Sequence, residues 1–487
     1  MSGRSGWRFE WPAAACVCAV ACLLAADVLA QGRFGGQPGR FGGGGRFGGP
    51  AANEPETRGL LINADGATPG YTLFAPLNGT TTYLIDMEGE VVREWDSELV
   101  PSAWVYFTDD GHVVRGGREL ETQGFSGGGQ GGRFQKFTFD GELVWDYSLN
   151  SEQRLPHHDV AILPNGNVLA VVWEAVSREE TAAAGRREGF IPDDGIWGDV
   201  LVELEPDGMS GARVVWEWRV FDHLIQNTDA GLASYGVPAE RPERIDINGD
   251  NVGTANPPQN PTHDVFHINS VAYNPELDQI IVSAPTFNEI WVIDHSTSTA
   301  EAAGSTGGRR GSGGDLLYRW GNPEAYGRGV AADRKLGFQH DAKWIPEGFP
   351  GAGNIMVFSN RSPGGSGFGG TTEVIELAPP VDRRGRYTLA DDAPFGPAEP
   401  VWVYADPAFN ASYISGAERL PGGNTLITSG PQGRLFEVDA DGGIVWEYWS
   451  PFGPNTDAEG AAAANPYAIF RAIRIPPDHP AVRGRGL

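Results

Sequence analysis

The sequence predicts an all-β chain folded as a six-bladed β-propeller, on three observations. First, a hydrophobic strand ending in tryptophan or tyrosine recurs six times, usually just after an acidic residue and a glycine, as in Asp140-Gly141-Glu142-Leu143-Val144-Trp145 and Asp441-Gly442-Gly443-Ile444-Val445-Trp446. Second, a turn followed by a β-rich run interleaves with these strands, as in Pro164-Asn165-Gly166-Asn167-Val168-Leu169 and Pro421-Gly422-Gly423-Asn424-Thr425-Leu426. Asparagine and glycine tolerate positive φ, so these are hairpin turns. Third, no stretch holds a 3.6-residue apolar period for three turns except 175–187. Interleaved strand signatures at a spacing of tens of residues are what propeller blades produce.

Taken in chain order, the segment 1–30 reads as an export signal. Arg4 and Arg8 precede an apolar run from Ala13 to Leu24, and Val28-Leu29-Ala30 fits a small-residue cleavage site. All three cysteines, Cys16, Cys18 and Cys22, lie in that run, so a cleaved chain has no thiol for disulfides, nucleophilic catalysis or metal binding. The expected location is periplasmic or secreted, with no transmembrane domain, because the run is short for a spanning helix. Residues 31–58 form a glycine-rich tether with Arg-Phe-Gly-Gly recurring at Arg33, Arg40 and Arg46; such composition buries too little apolar surface to fold.

Residues 59–480 are the propeller, a catalytic or binding domain. Each blade is expected to be a meander in which the tryptophan strand comes last. The third strand shows as Tyr83-Leu84-Ile85-Asp86, Val202-Glu203-Leu204, Trp291-Val292-Ile293-Asp294, Val374-Ile375-Glu376-Leu377 and Phe436-Glu437-Val438-Asp439. Long connections at 175–198, 225–262, 300–314 and 361–371 carry the excess length between blades.

The chain has 487 residues and a formal net charge of −27, which argues against nucleic acid as a partner. There is no Gly-Lys-Ser/Thr phosphate loop and no Gly-x-Ser-x-Gly elbow. Asp246-Ile247-Asn248-Gly249-Asp250 resembles the start of a calcium loop, but the twelfth position is Pro257, which excludes an EF-hand; an Asn/Asp turn is expected in preference to an irregular calcium site.

Chemistry concentrates in the nine histidines. Three groups share one context, a histidine just before an apolar strand that leads into a blade's turn: His157-His158-Asp159-Val160, His267-Ile268-Asn269-Ser270 and Gln339-His340-Asp341-Ala342. If each strand is the innermost of its blade, the three groups converge on one mouth of the axial channel. Neighbouring carboxylates Asp159, Asp264 and Asp341 are placed to fix ring tautomers.

The ordered set His-His-Asp, His-x-Asn-Ser and Gln-His, with the closing Glu418-Arg419-Leu420-Pro421-Gly422-Gly423-Asn424-Thr425 run, resembles the bacterial aryl-sulfate sulfotransferases over roughly residues 60–478. The resemblance implies a periplasmic six-bladed propeller that moves a sulfuryl group from an aryl sulfate ester to a phenolic acceptor, by a ping-pong route and without a nucleotide donor or other cofactor. It places the nucleophile on His340, which would form a sulfo-histidine, and sulfate binding on His158, His267 and Asn269. One departure stands out. The family carries a sulfate-clamping arginine at the end of the strand after His-x-Asn, whereas Val282-Ser283-Ala284-Pro285-Thr286-Phe287-Asn288 has no cation, leaving Lys343, Arg361 or Arg471 to supply one. Two other readings of the same residues are a non-catalytic exported propeller acting as a binding scaffold and a metal-dependent enzyme with a histidine hub.

Overall fold

The computed structural model describes residues 54–122, 124–250, 261–361, 371–454 and 465–487. The export signal and nearly all of the tether lie outside these residues. Six antiparallel sheets make the propeller, and in each the strand earliest in the meander faces the axis. Blade two is Pro101–Phe107, Val113–Arg118, Gly132–Phe137 and Leu143–Ser148. Blade three is Arg154–Ile162, Val168–Val176, Ile196–Asp207 and Gly211–Arg219. Blade four is Ser270–Asn274, Gln279–Ala284, Glu289–Asp294 and Tyr318–Trp320; blade five is His340–Trp344, Ile355–Ser359, Glu373–Leu377 and Trp402–Ala405.

The chain ends close the ring. Blade one takes its innermost strand, Ile469–Ile475, from the C-terminal end and pairs it with Tyr71–Pro76, followed by Thr82–Ile85 and Val91–Trp95. Blade six runs Gly416–Arg419, Thr425–Ser429, Arg434–Val438 and Ile444–Trp449, and Gly59–Asn63 adds a fifth strand on its outer edge. Two segments far apart in sequence thereby close the circle and leave no innermost edge unpaired. The predicted helical stretch is real but short, Arg178–Ala183, capped reciprocally by Ser177 and Glu180.

The recurring tryptophans latch one blade to the next. Trp95 Nε1 donates to Thr138 O at 3.0 Å, Trp145 to Gly211 O at 2.9 Å, and Trp218 to Gly314 O at 2.7 Å. Trp320 donates to Pro397 O at 2.8 Å and Trp446 to Met87 O at 3.0 Å. Each indole fills an inter-blade seam and satisfies its own N–H there, contributing roughly 1 kcal/mol per bond above its apolar burial. The innermost strands have a corresponding polar ring. Asp159 Oδ2 accepts from Val271 N at 3.1 Å, Ser270 Oγ from Ala342 N at 3.1 Å, and Asp341 Oδ2 from Ala417 N at 2.9 Å.

The Asp246–Asp250 segment is a turn held by an ion pair. Asp250 takes both ends of the Arg186 guanidinium at 2.9 Å, and Asp246 caps Asn248 N at 2.9 Å. No helix among the described residues is long and apolar enough to cross a membrane.

Candidate functional site

Strained backbone marks the histidine groups of blades three, four and five. His158, His267 and Asp341 have φ of 54°, 55° and 54°, a left-handed conformation that costs a non-glycine residue on the order of 1–3 kcal/mol. Blade three shifts register opposite Ala170/Val172, and blade five between His340 and Lys343. Such bulges re-aim side chains at a rim. The shifts fall near His158 and at His340, while the blade four strand has none, and the His158 and His267 rings meet edge to face with centroids 4.5 Å apart. Phe470, on the closing strand, lies 6.3 Å from the His158 ring and 6.1 Å from the His340 ring. The convergence expected from repeat position is therefore present. Gly129 from blade two packs beneath the His158 ring, and its carbonyl accepts His158 N at 2.8 Å. At Gly129 φ is +75°, and a Cβ would stand 2.4 Å from the ring, so the position requires glycine.

The three histidines have different partners. Asn360 Oδ1 sits 2.7 Å from His340 Nδ1, while Asn360 Nδ2 donates to Ala411 O at 2.7 Å and Ile414 O at 2.9 Å. The two carbonyls fix the amide with its oxygen toward the imidazole. Nδ1 of His340 therefore carries the proton, and Nε2 presents a lone pair. Burial holds this imidazole neutral, with its pKa lowered to about 3 despite the Asn360 bond, which favours the proton. His267 has the opposite setting: burial works to lower its pKa, but the charge and hydrogen bond of the Asp264 carboxylate at Nδ1, with a further contribution from Asp199, together raise it. The Asp264 carboxylate also accepts Trp173 Nε1 at 3.2 Å, and its own pKa is lowered, mainly by His267 working against burial. His158 is neutral, its pKa pushed well down by burial and then by the cationic neighbourhood of His267.

Asn269 is wholly buried; its Nδ2 donates to Gln339 O at 2.9 Å, so it holds the backbone immediately before His340. Its Oδ1 has no partner among the described residues.

The cation comes from the closing strand. Arg471 crosses the channel from blade one, with Nη1 2.9 Å from Asp159 Oδ2 and 2.7 Å from Tyr106 Oη, and Nε 3.2 Å from Asp341 Oδ1. The two carboxylates raise its pKa further, so it is permanently charged. Its Nη2 is buried and makes no hydrogen bond among the described residues. Lys343 turns to Asp341 Oδ2 at 2.9 Å, and Arg361 lies over the Phe338 ring at 4.1 Å. Of the three cations named from sequence, Arg471 is the one whose charge acts on both His158 and His340.

Sequence reasoning missed Asn360, His157 as a partner of His158, and Asp199 behind it. Asn360 directly follows the second strand of blade five, where the register opposite His340 pairs Phe358; that adjacency was the available signal. Among the described residues no group of three or more His, Cys, Asp or Glu side chains is arranged to hold a metal ion.

A profile of the arylsulfotransferase (ASST) family matches residues 75–442. The chain belongs to this family. The match includes the three histidine groups and stops short of Ile444–Trp449 and of the closing strand Ile469–Ile475. No curated protein matches the sequence significantly. Among solved structures, a Bacteroides caccae protein of unknown function is similar at 12% identity and a TM-score of 0.44, covering 84% of this chain and 99% of that one. A periplasmic gluconolactonase of Pseudomonas aeruginosa is similar at 12% identity and a TM-score of 0.40, covering 84% and 100%. Likeness at that level says nothing of this family member's chemistry.

Proposed function

We propose that the chain transfers a sulfuryl group from an aryl sulfate to a phenolic acceptor in two displacements through a sulfo-histidine at His340. The observation that carries this reading is the Asn360–His340 bond, which leaves a neutral, buried imidazole with its lone pair at Nε2. In the first displacement Nε2 attacks sulfur, the N–S bond forms, and the S–O bond to the aryl oxide breaks. In the second, the acceptor oxygen attacks sulfur and the N–S bond breaks, restoring His340. Splitting the transfer lowers each barrier, and fixed donors stabilise charge growing on the sulfuryl oxygens.

His267, made cationic by Asp264, serves as such a donor in this reading, His158 binds the sulfate through Nε2 at the bridging ester oxygen, and Arg471 Nη2 supplies the remaining positive charge. Asn269 contributes by holding Gln339, with its second N–H for the sulfate. We further propose that the chain acts after export, with residues 1–30 removed, in the periplasm or outside the cell.

The test is turnover of a chromogenic aryl sulfate with and without added phenol, with intact-protein mass spectrometry after a donor-only pulse. Phenol release that rises with acceptor, and one added sulfuryl group on the wild type, are expected. His340→Ala should lose the adduct and fall toward background, a loss on the order of 10⁶ for a nucleophile acting within a unit. Full turnover by that variant rules out His340 as the nucleophile.

A further inference from the structure

His157 lies behind the site with no access to solvent, and neither the family resemblance nor the reaction above gives it a task. Its side chain and that of Asp199 are both 0% exposed. The ring stacks on Trp173 at 4.2 Å and 10°, and both nitrogens are engaged: Nε2 with Asp199 Oδ1 at 3.0 Å and Nδ1 with His158 Nδ1 at 2.7 Å. Asp199 Oδ2 accepts Ile268 N at 2.6 Å.

Each of the two gaps in this chain needs one proton, and with His157 held neutral by burial two arrangements satisfy it. In one, Asp199 is an acid donating to His157 Nε2, His157 Nδ1–H donates to His158 Nδ1, and His158 Nε2 carries an N–H. In the other, Asp199 is a carboxylate accepting from His157 Nε2–H, His158 Nδ1–H donates to His157 Nδ1, and His158 Nε2 is a lone pair. The arrangements differ by one proton, and the difference appears at His158 Nε2, which has no partner among the described residues. Resting on the sulfuryl-transfer reading, we propose that Asp199 and His157 are positioning residues that make His158 the reversible acid–base of the reaction.

The protons balance. As the S–O bond breaks, the departing aryl oxide takes the proton from His158 Nε2. His158 Nδ1 takes the proton of His157 Nδ1, and His157 Nε2 takes the Asp199 proton, leaving a carboxylate held by Ile268 N–H. The acceptor phenol returns a proton along the same path in the second displacement, so no outside acid or base is consumed. Burial favours the neutral acid at rest: Asp199 is pushed well above the carboxylate range, first by burial and then by Asp264, and burial lowers His157 to about 3. Cationic His267 and Arg471 oppose a second proton on His158, so it works as a neutral donor.

The test is Asp199→Asn across a donor series from nitrophenyl sulfate to unsubstituted phenyl sulfate, with phenol release measured under single turnover. A nitrophenolate leaves without a proton, so its rate should stay within about threefold of wild type, whereas phenyl sulfate should slow by about 10²–10⁴-fold. An equal loss along the series marks a purely structural role and overturns the proposal. If the variant does not fold, ¹⁵N NMR of histidine-labelled wild type decides: His158 should be protonated at Nε2 and not at Nδ1, and the reverse overturns it. Absence of turnover by the wild type with every donor removes the sulfuryl-transfer reading, and the relay's catalytic role with it.

Discussion

Across one channel mouth, His340 and His267 show how the neighbour of a single ring nitrogen sets what an imidazole does. Both bond an oxygen through Nδ1; His340 begins its inner strand and His267 lies three residues ahead of its own. Facing His340 is the neutral amide of Asn360, which fixes the tautomer and adds no charge. Facing His267 is the Asp264 carboxylate, which fixes the tautomer and also draws a proton onto the far nitrogen. The first arrangement gives a nucleophile and the second a cationic donor, from the same side chain.

The largest expected effect comes from making the two alike. Asn360→Asp puts a carboxylate against His340, and an opposite charge at that distance raises a histidine pKa by about 1–3 units. Turnover of the wild type should hold as pH falls well below the ordinary histidine range, because the imidazole stays neutral to about 3. In the variant the acid limb should move up by about 1–3 pH units, with the rate recovering at higher pH. The Ala411 and Ile414 carbonyls also lose their donor, which costs about 1–3 kcal/mol for each buried group, so a melt accompanies the profile. An unmoved acid limb in a folded variant breaks the comparison.

The reverse exchange has a smaller effect. Asp264→Asn keeps an acceptor for His267 but removes the charge that holds its second proton. Loss of a charge-assisted bond to an anionic donor is worth about 1.5–3 kcal/mol, so KM for the aryl sulfate should rise about 10- to 100-fold. The KM of the neutral phenol should not change. In the wild type, donor binding should weaken as pH rises through the raised His267 value, and the variant should lack that limb. Equal rises in both KM values point to a general distortion of the mouth.

Much of this was legible in the residues, for identifiable reasons. The tryptophan strands repeat because each indole closes the same kind of seam, so the blades could be read one by one. The third strand of blade two, Gly132–Phe137, escaped because Arg-Phe-Gln-Lys-Phe lacks the Val-Ile-Asp pattern of its counterparts. Ring closure was hidden as well: Ile469–Ile475 finds its partner Tyr71–Pro76 nearly the whole chain away. His158, His267 and His340 could be named because they occupy repeat positions. Asn360 and Asp199 could not, because each acts on a histidine of another strand or blade, and Arg471 could be named only as one of three candidate cations. Arg471 supplies the positive charge absent from 282–288 only because the last strand of the chain is the first in its blade.

The smallest effect tests the comparison outside the site, at the blade three–four seam. His295 lies between two carboxylates, Glu203 on blade three at 3.0 Å and Asp278 on blade four at 2.9 Å. Hydrogen bonds and charge from both outweigh burial and raise its pKa, while both acids are lowered by His295 against their own burial. A raised histidine contributes stability that is fully present below its unfolded value of 6.5 and is lost as pH rises through the folded value. The lowered acids contribute above their unfolded values of 4.5 and 3.8 and lose that contribution as pH falls through their folded values. His295→Gln should therefore cost about 1 kcal/mol near pH 5.5, and less as pH rises past the folded histidine value. Denaturant unfolding near pH 5.5 and again above the folded histidine value reads the difference, and turnover should not change, because this cationic imidazole faces a seam and not the channel. A cost that grows with pH would mean that His295 is held neutral, and that paired carboxylates do not set the charge of an imidazole in this protein.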